Sequence, residues 1–256
     1  MNKIPKTTTL AVIASLAGLV LTASSTQAAV YYIYNETFGG SGAADLNGTT
    51  ADNYTGGNTW TASTDWKADG TITGSTSGVD DDSAFLAFAP VSGNVYTLSA
   101  TVTQPLPTSG FSEFAWLGIG FTASDVTGSH TSGAGFWSSP NNASPWMLYR
   151  RNAEVKTYAG PGVTVSEVEG NFGGAITMSI ELDTTAAQWT SEWFVDGSSV
   201  RFETFASNPT ITNVGFGRED GVSSAITSFS LTAVPEPSTS VLIGLGGLAL
   251  VFRRRK

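Results

Sequence analysis

Period-two alternation is the feature that most narrows the folds open to this chain. In "VYTLSATVT", Tyr96, Leu98, Ala100 and Val102 fall on one side and Thr97, Ser99, Thr101 and Thr103 on the other. "AITMSIELD" repeats the pattern, with Ile176, Met178, Ile180 and Leu182 against Thr177, Ser179, Glu181 and Asp183. Successive side chains of a strand point to opposite faces, so each stretch reads as a strand with one buried and one solvated face. In "WTSEWFVDGSSVRF", Trp189, Trp193 and Val195 share a face. Asp196-Gly197 marks a turn there, because Gly readily takes the positive φ that a tight hairpin requires, and a hairpin from Gln188 to about Phe202 is predicted.

Further strands are expected in "VYYIYNETF", "AFLAF", "FAWLGIGFTA", "PWMLYRR", "ITNVGFG" and "AITSFSLTA", spaced by Gly, Asn, Ser and Pro. Many short amphipathic strands favour an all-β sandwich of two packed antiparallel sheets. The chain has no Cys, so neither disulfides nor thiolate metal sites support it, and its core must suffice alone. Seven Trp and fourteen Phe can build one. No internal repeat and no Pro-rich or charge-rich linker divides Val30 to Val234, which reads as one domain, bounded at 29–233.

Charge separates the body from its ends. Between Ala29 and Val234 stand 20 acidic against 6 basic residues. Such a body cannot neutralise a row of phosphates, which excludes nucleic acid as a partner, and its acidity suits solubility outside the cell.

The start, "MNKIPKTTTLAVIASLAGLVLTASSTQAA", has a basic head, an apolar core from Leu10 to Leu21 and small residues before Ala29. Residues 1–28 therefore read as a secretory signal peptide cleaved after Ala28. An uncleaved anchor is the competing reading, and the shortness of the apolar core weighs against it. The other end, "VPEPSTSVLIGLGGLALVFRRRK", joins Pro235, Glu236 and Pro237 to the apolar run Val241–Phe252 and a basic stop. At about 1.5 Å per residue, its 12 apolar residues cover roughly 18 Å of a hydrocarbon core of about 30 Å, a weak span. The positive-inside rule keeps Arg253, Arg254, Arg255 and Lys256 on the cytoplasmic side while the body is exported. The two prolines prevent a regular helix, so an extended segment is offered at the membrane surface.

These residues, 234–256, resemble the PEP-CTERM sorting signal of Gram-negative bacteria. The resemblance implies that a membrane-embedded exosortase recognises Pro235, Glu236 and Pro237 and removes a transiently anchored tail, passing the body to the cell surface or extracellular matrix. A plain C-terminal anchor is the alternative. The order "YTLSATV", "WLGIGF", "PWMLYRR", "ITMSIELDT", "WTSEWFVDG" and "FSLT", from Tyr96 to Thr232, is similar to the concanavalin A-like lectin and glucanase sandwich in its LamG-type form. That likeness implies a body that binds sugars, binds proteins or cleaves polysaccharide.

Catalysis finds little support in the residues. Glucanases of the resembled family carry Glu-x-Asp-x-x-Glu, whose two carboxylates attack the sugar and donate a proton from about 5 Å apart when configuration is retained. The nearest match is Glu181, Asp183 and Ala186, without the last acid, so Glu181 reads as an exposed strand acid. The single His130 lies in a Gly- and Ser-rich stretch with no nucleophile elbow and no Cys partners. Asp80, Asp81 and Asp82 could offer oxygens to Ca²⁺, although three adjacent acids point in alternating directions and read first as a solvated turn.

Binding fits better, since an indole offers sugar C–H groups a flat surface and amides pair with hydroxyls. The candidates are Trp137 and Trp146, which flank "SSPNNAS", with Asn141, Asn142 and Arg150 nearby; core packing is the competing and favoured reading of both Trp. Arg150 and Arg151 must face opposite ways on a regular strand, so one is expected to be partly buried against an acid or to mark a groove. The expectation is a noncatalytic glycan-binding or structural module, with a divergent glycoside hydrolase as the alternative.

Overall fold

The computed structural model describes residues 29–39, 44–54, 58–63, 66–68, 72–74, 82–104, 115–124, 144–160, 166–168, 172, 174–219 and 225–236. Among these it contains strands and turns but no helix. The first nine strands are β1 (Tyr31–Glu36), β2 (Ala44–Asp45), β3 (Asn53–Tyr54), β4 (Thr61–Ala62), β5 (Trp66–Ala68), β6 (Ile72–Gly74), β7 (Asp82–Ala87), β8 (Asn94–Gln104) and β9 (Trp116–Thr122). The rest are β10 (Trp146–Arg150), β11 (Val155–Tyr158), β12 (Ser166–Val168), β13 (Gly174–Asp183), β14 (Thr190–Val195), β15 (Ser198–Thr204), β16 (Asn213–Glu219) and β17 (Ala225–Pro235).

They form two antiparallel sheets. The larger runs β15-β14-β13-β8-β17-β6-β5-β2, with β1 also on β17 and β3 on β1; the smaller runs β12-β11-β10-β9-β16-β7-β4. The alternating stretches do what their period requires. Tyr96, Leu98, Ala100 and Val102 are buried on β8 beside Ile176, Met178, Ile180 and Leu182 on β13, while their hydroxyl neighbours face partly outward. The β14–β15 hairpin turns at Asp196 and Gly197, both at positive φ (49° and 77°), and extends two residues past Phe202 to Thr204.

Between the sheets, Trp60 packs on Phe216 and Phe229 with ring centroids 5.2 and 5.4 Å apart, and Trp66 meets Phe216 edge-on at 4.9 Å. Each ring removes a large apolar surface from water, worth about 1.5–3 kcal/mol for a fully buried Phe. Trp60 and Trp66 belong to chain segments whose own strands are two or three residues long, so side-chain burial adds to a few backbone hydrogen bonds, such as Gly48 N to Trp60 O at 2.8 Å, in holding those segments in place. The smaller sheet departs from simple amphipathicity: β9 is buried at every position and β7 at all but its last.

One expectation is corrected here. Asp82 is not part of a solvated turn but opens β7, 1 % exposed, where Arg218 Nε donates to its Oδ2 at 3.0 Å and Ser63 Oγ to its Oδ1 at 2.9 Å. The Arg218 guanidinium also lies 5.2 Å over the Trp66 ring. Strand register explains the pairing, since Arg218 stands directly opposite Asp82. Asp80 and Asp81 lie outside the described residues, as do the signal segment and the tail from Pro237 onward. Among the described residues no helix is long and apolar enough to cross a membrane.

Candidate functional site

The chemistry-bearing aromatic residues gather on the outer side of the smaller sheet. Along β9, Leu117, Ile119 and Phe121 point into the main core, which leaves Trp116, Gly118 and Gly120 on the other face. Trp146 on β10 pairs with Gly120 on one side and Tyr158 on the other. Its ring stacks on Tyr158 at 4.0 Å and 11°, and Trp116 tilts against it at 5.8 Å. Phe85 and Leu148 complete this second cluster, whose five members are all buried.

Glycine makes the cluster close. A Cβ on Gly120 would stand 2.4 Å from Trp146 Cβ and 2.9 Å from Pro145 O, and one on Gly118 would stand 2.8 Å from Met147 O. Only a residue without a side chain lets the Trp146 backbone and ring approach β9 so tightly. The repeated Gly of "WLGIGF" is the sequence signal for this shelf, and Trp116 and Tyr158 are the members that residue-by-residue reading did not single out.

The β10–β11 turn carries the nearby charges. Arg150 N donates to Glu154 O at 2.8 Å, and Ala153 takes a positive φ of 68° inside the turn. Arg150 Nη1 lies 3.4 Å from Glu154 Oε2, with Lys156 Nζ at 3.9 Å from the same oxygen. Arg150 is thus set against an acid. Arg151 lies beyond the end of β10, is 2 % exposed, and burial pushes its guanidinium below the usual arginine range.

Acids meet at two further places. Glu181 is directly opposite Glu192 on the outer face of the larger sheet, half-buried rather than exposed. Burial raises its carboxyl above the usual range, and the charges of Glu192 and Asp183 raise it further. Glu36 is buried and accepts from Phe38 N at 2.7 Å and Trp60 Nε1 at 3.1 Å. Burial raises its carboxyl, those two donors partly offset that, and neighbouring Asp52 adds to the rise. Asp52 is lowered, chiefly by the Thr37 hydroxyl donating to it. Among the described residues no group of three or more His, Cys, Asp or Glu stands where it could hold a metal ion.

Of the residues singled out for binding, Trp146 and Arg150 are brought to opposite ends of one strand, β10. Trp146 is 1 % exposed, inside the aromatic cluster. Trp137, Asn141, Asn142 and His130 lie outside the described residues, as does Ala28. At the C-terminal end, Pro235 is the last residue of β17, opposite Asn94, and Glu236 N donates to Gly93 O at 2.9 Å. Pairing therefore runs through the boundary expected between body and tail.

No curated protein matches the chain in sequence. Among solved structures the body is similar to the endo-1,3-beta-glucanase from Streptomyces sioyaensis, at 11% identity, TM-score 0.55, covering 80% of this chain and 97% of that one. It is also similar to the Emp47p carbohydrate recognition domain, at 12% identity, TM-score 0.52, covering 83% and 99% respectively. A third likeness is peanut lectin, at 11% identity, TM-score 0.50, covering 82% and 100%. Residues 233–256 match the PEP-CTERM protein-sorting motif, so the chain is an exported, surface-directed protein whose body has the fold of concanavalin A-like lectins and glucanases.

Proposed function

We propose that the mature protein is a noncatalytic module of the cell surface or extracellular matrix of a Gram-negative bacterium, with glycan as its ligand. In this reading residues 1–28 are a signal peptide removed after Ala28. The 234–256 tail is held briefly in the inner membrane by Val241–Phe252 until an exosortase-type enzyme acts at Pro235, Glu236 and Pro237. The observation that carries the surface role is the sorting motif at the end of the last strand. Likeness to a carbohydrate recognition domain and a lectin supports the glycan role, and the LamG-type form is the variant of the fold we favour.

The placement of acids supports binding over hydrolysis. Glu181 and Asp183 alternate with buried Ile180 and Leu182, so they project from the solvated face of the larger sheet, and Ala186 supplies no third carboxylate. The proposed contact residues are Trp137, Asn141, Asn142 and Arg150, with Trp146 fixing the start of β10 rather than stacking a sugar. The glucanase likeness keeps a divergent glycoside hydrolase as the second reading. Affinity chromatography of the exported body on a polysaccharide panel, with reducing-sugar assay of each eluate, decides. Retention without release is expected; release of reducing sugar establishes the hydrolase, and absence of retention leaves a structural matrix role.

A further inference from the structure

Four of the five exposed large hydrophobic side chains among the described residues gather where the last strand leaves the sandwich: Val30 (63 %), Tyr31 (42 %), Tyr32 (54 %) and Val91 (66 %). Val30 immediately precedes β1, which Tyr31 and Tyr32 open, paired with Ala233 and Thr232 close to Pro235. Ala233 pairs on its other side with Tyr96, whose hydroxyl accepts from Val91 N at 2.7 Å. One row of neighbouring residues thus links Tyr31 to Val91.

The corner is also rigid. Gly93 N donates to Thr184 O at 3.1 Å, Thr184 Oγ1 donates to Asn94 O at 2.8 Å, and Asn94 Nδ2 donates to Val91 O at 2.9 Å. Glu236 is bonded into the same turn through Gly93 O. No flexible linker therefore separates the body from the sorting motif. Only Pro237, Ser238, Thr239 and Ser240 lie between Glu236 and the apolar run that begins at Val241. Fully extended, at about 3.6 Å per residue, the path from Glu236 to Val241 reaches at most roughly 18 Å. A body of this size is about twice that across, so its far end, where the β14–β15 hairpin turns, cannot be brought against the anchoring membrane while the tail is in place.

We propose that this corner is a membrane-facing surface, with Val30, Tyr31, Tyr32 and Val91 resting in the headgroup layer of the bilayer that holds the tail; the inference rests on the transient membrane hold described above. Tyrosine suits the occupant, since its ring is apolar and its hydroxyl remains wet, as at membrane interfaces generally. Charge does not drive the contact, because the body is strongly acidic and an anionic bilayer repels it. The tether does, by keeping the patch at high effective concentration beside the surface. Cutting the tether removes that advantage, so the same patch that settles the body during processing does not retain it afterwards.

The absence of Cys allows single thiol labels to be placed one at a time. Full-length variants Tyr32→Cys, Val91→Cys, Ser198→Cys and Val251→Cys would each carry an environment-sensitive fluorophore in phosphatidylethanolamine–phosphatidylglycerol vesicles containing a doxyl-lipid quencher. Ser198, exposed at the β14–β15 turn on the opposite end of the larger sheet, is the control for the body, and Val251 reports insertion of the tail. Quenching at 251, 32 and 91 with none at 198 is expected. A quenched 251 with 32 and 91 no more affected than 198 overturns the membrane-facing corner and leaves the sorting reading intact. An unquenched 251 overturns the membrane hold itself, and this inference with it. A Gly-Ser insert after Pro237 should lessen quenching at 32 and 91, and unchanged quenching would show that the tether is not what holds them.

Discussion

The indole Nε1 of Trp193 donates to the main-chain oxygen of Trp146 at 3.0 Å, a hydrogen bond that crosses from the larger sheet to the smaller. Arg201 makes a second crossing nearby, through Nη1 to Thr157 O at 3.1 Å, and its guanidinium lies 5.2 Å over the Trp193 ring. These bonds join β14 and β15 to β10 and β11, the side of the sandwich that carries the aromatic shelf. Trp193→Phe removes the donor while keeping most of the apolar area and should cost about 1–3 kcal/mol; Trp193→Ala adds a cavity and should cost about 3–5 kcal/mol. Urea unfolding of the two variants provides the comparison.

Gly120→Ala tests the closeness of the shelf. Its Cβ would fall against Trp146 Cβ and Pro145 O, both parts of a neighbouring strand end that cannot simply rotate away. A loss of roughly 1–3 kcal/mol is expected. The near-ultraviolet circular dichroism of the stacked Trp146–Tyr158 pair should weaken with it. Retained signal and stability would mean that β9 and β10 separate easily.

Asp82 and Arg218 form a fully enclosed ion pair. Removing one charge strands the other in the core, so Asp82→Asn should cost about 3–5 kcal/mol, whereas replacing both partners with apolar residues of similar volume should cost much less. A double-mutant cycle in thermal unfolding reads the difference.

Stability should rise as pH falls from neutrality toward the ordinary carboxylate value, as far as Glu181 governs it. Its carboxyl is raised in the folded state, so the folded protein holds the proton more tightly than the unfolded chain does. The penalty is present above the raised value and is relieved as pH drops through it. Glu181→Gln should therefore be more stable than the parent at neutral pH and show a flatter acid limb. Asp52 acts in the opposite sense, since its lowered carboxyl contributes stability above the ordinary value that is lost as pH falls through the lowered one. A melting series across the acid range, run on both Glu181→Gln and Asp52→Asn, separates the two.

What was legible in the chain follows the range of the forces involved. β8, β13 and the β14–β15 hairpin declare themselves through local alternation and a Gly turn, and all three appear where the residues place them. β2 to β6 carry no such mark, because they are short pieces drawn onto longer strands by pairing and by the burial of Trp60 and Trp66. The pairing of Asp82 with Arg218 spans 136 positions and depends on register alone, which explains why three consecutive acids looked like a surface turn. Trp146 was visible as a site candidate by residue type, but its burial depends on Tyr158, Trp116 and the glycines of β9, none of which adjoins it in sequence. The sorting motif was legible in full because its three parts are contiguous.

The position of β17 has a consequence for timing. The last strand to be made lies in the interior of the larger sheet, with β8 along one side and β1 and β6 along the other. Until residues 225–235 have been synthesised, the sheet consists of three pieces, β15-β14-β13-β8, β1-β3 and β6-β5-β2, without their common neighbour. Pairings that join the first and last strands of a domain are also the slowest to form. A chain built this way cannot close its larger sheet while residues 225–235 are still to be made.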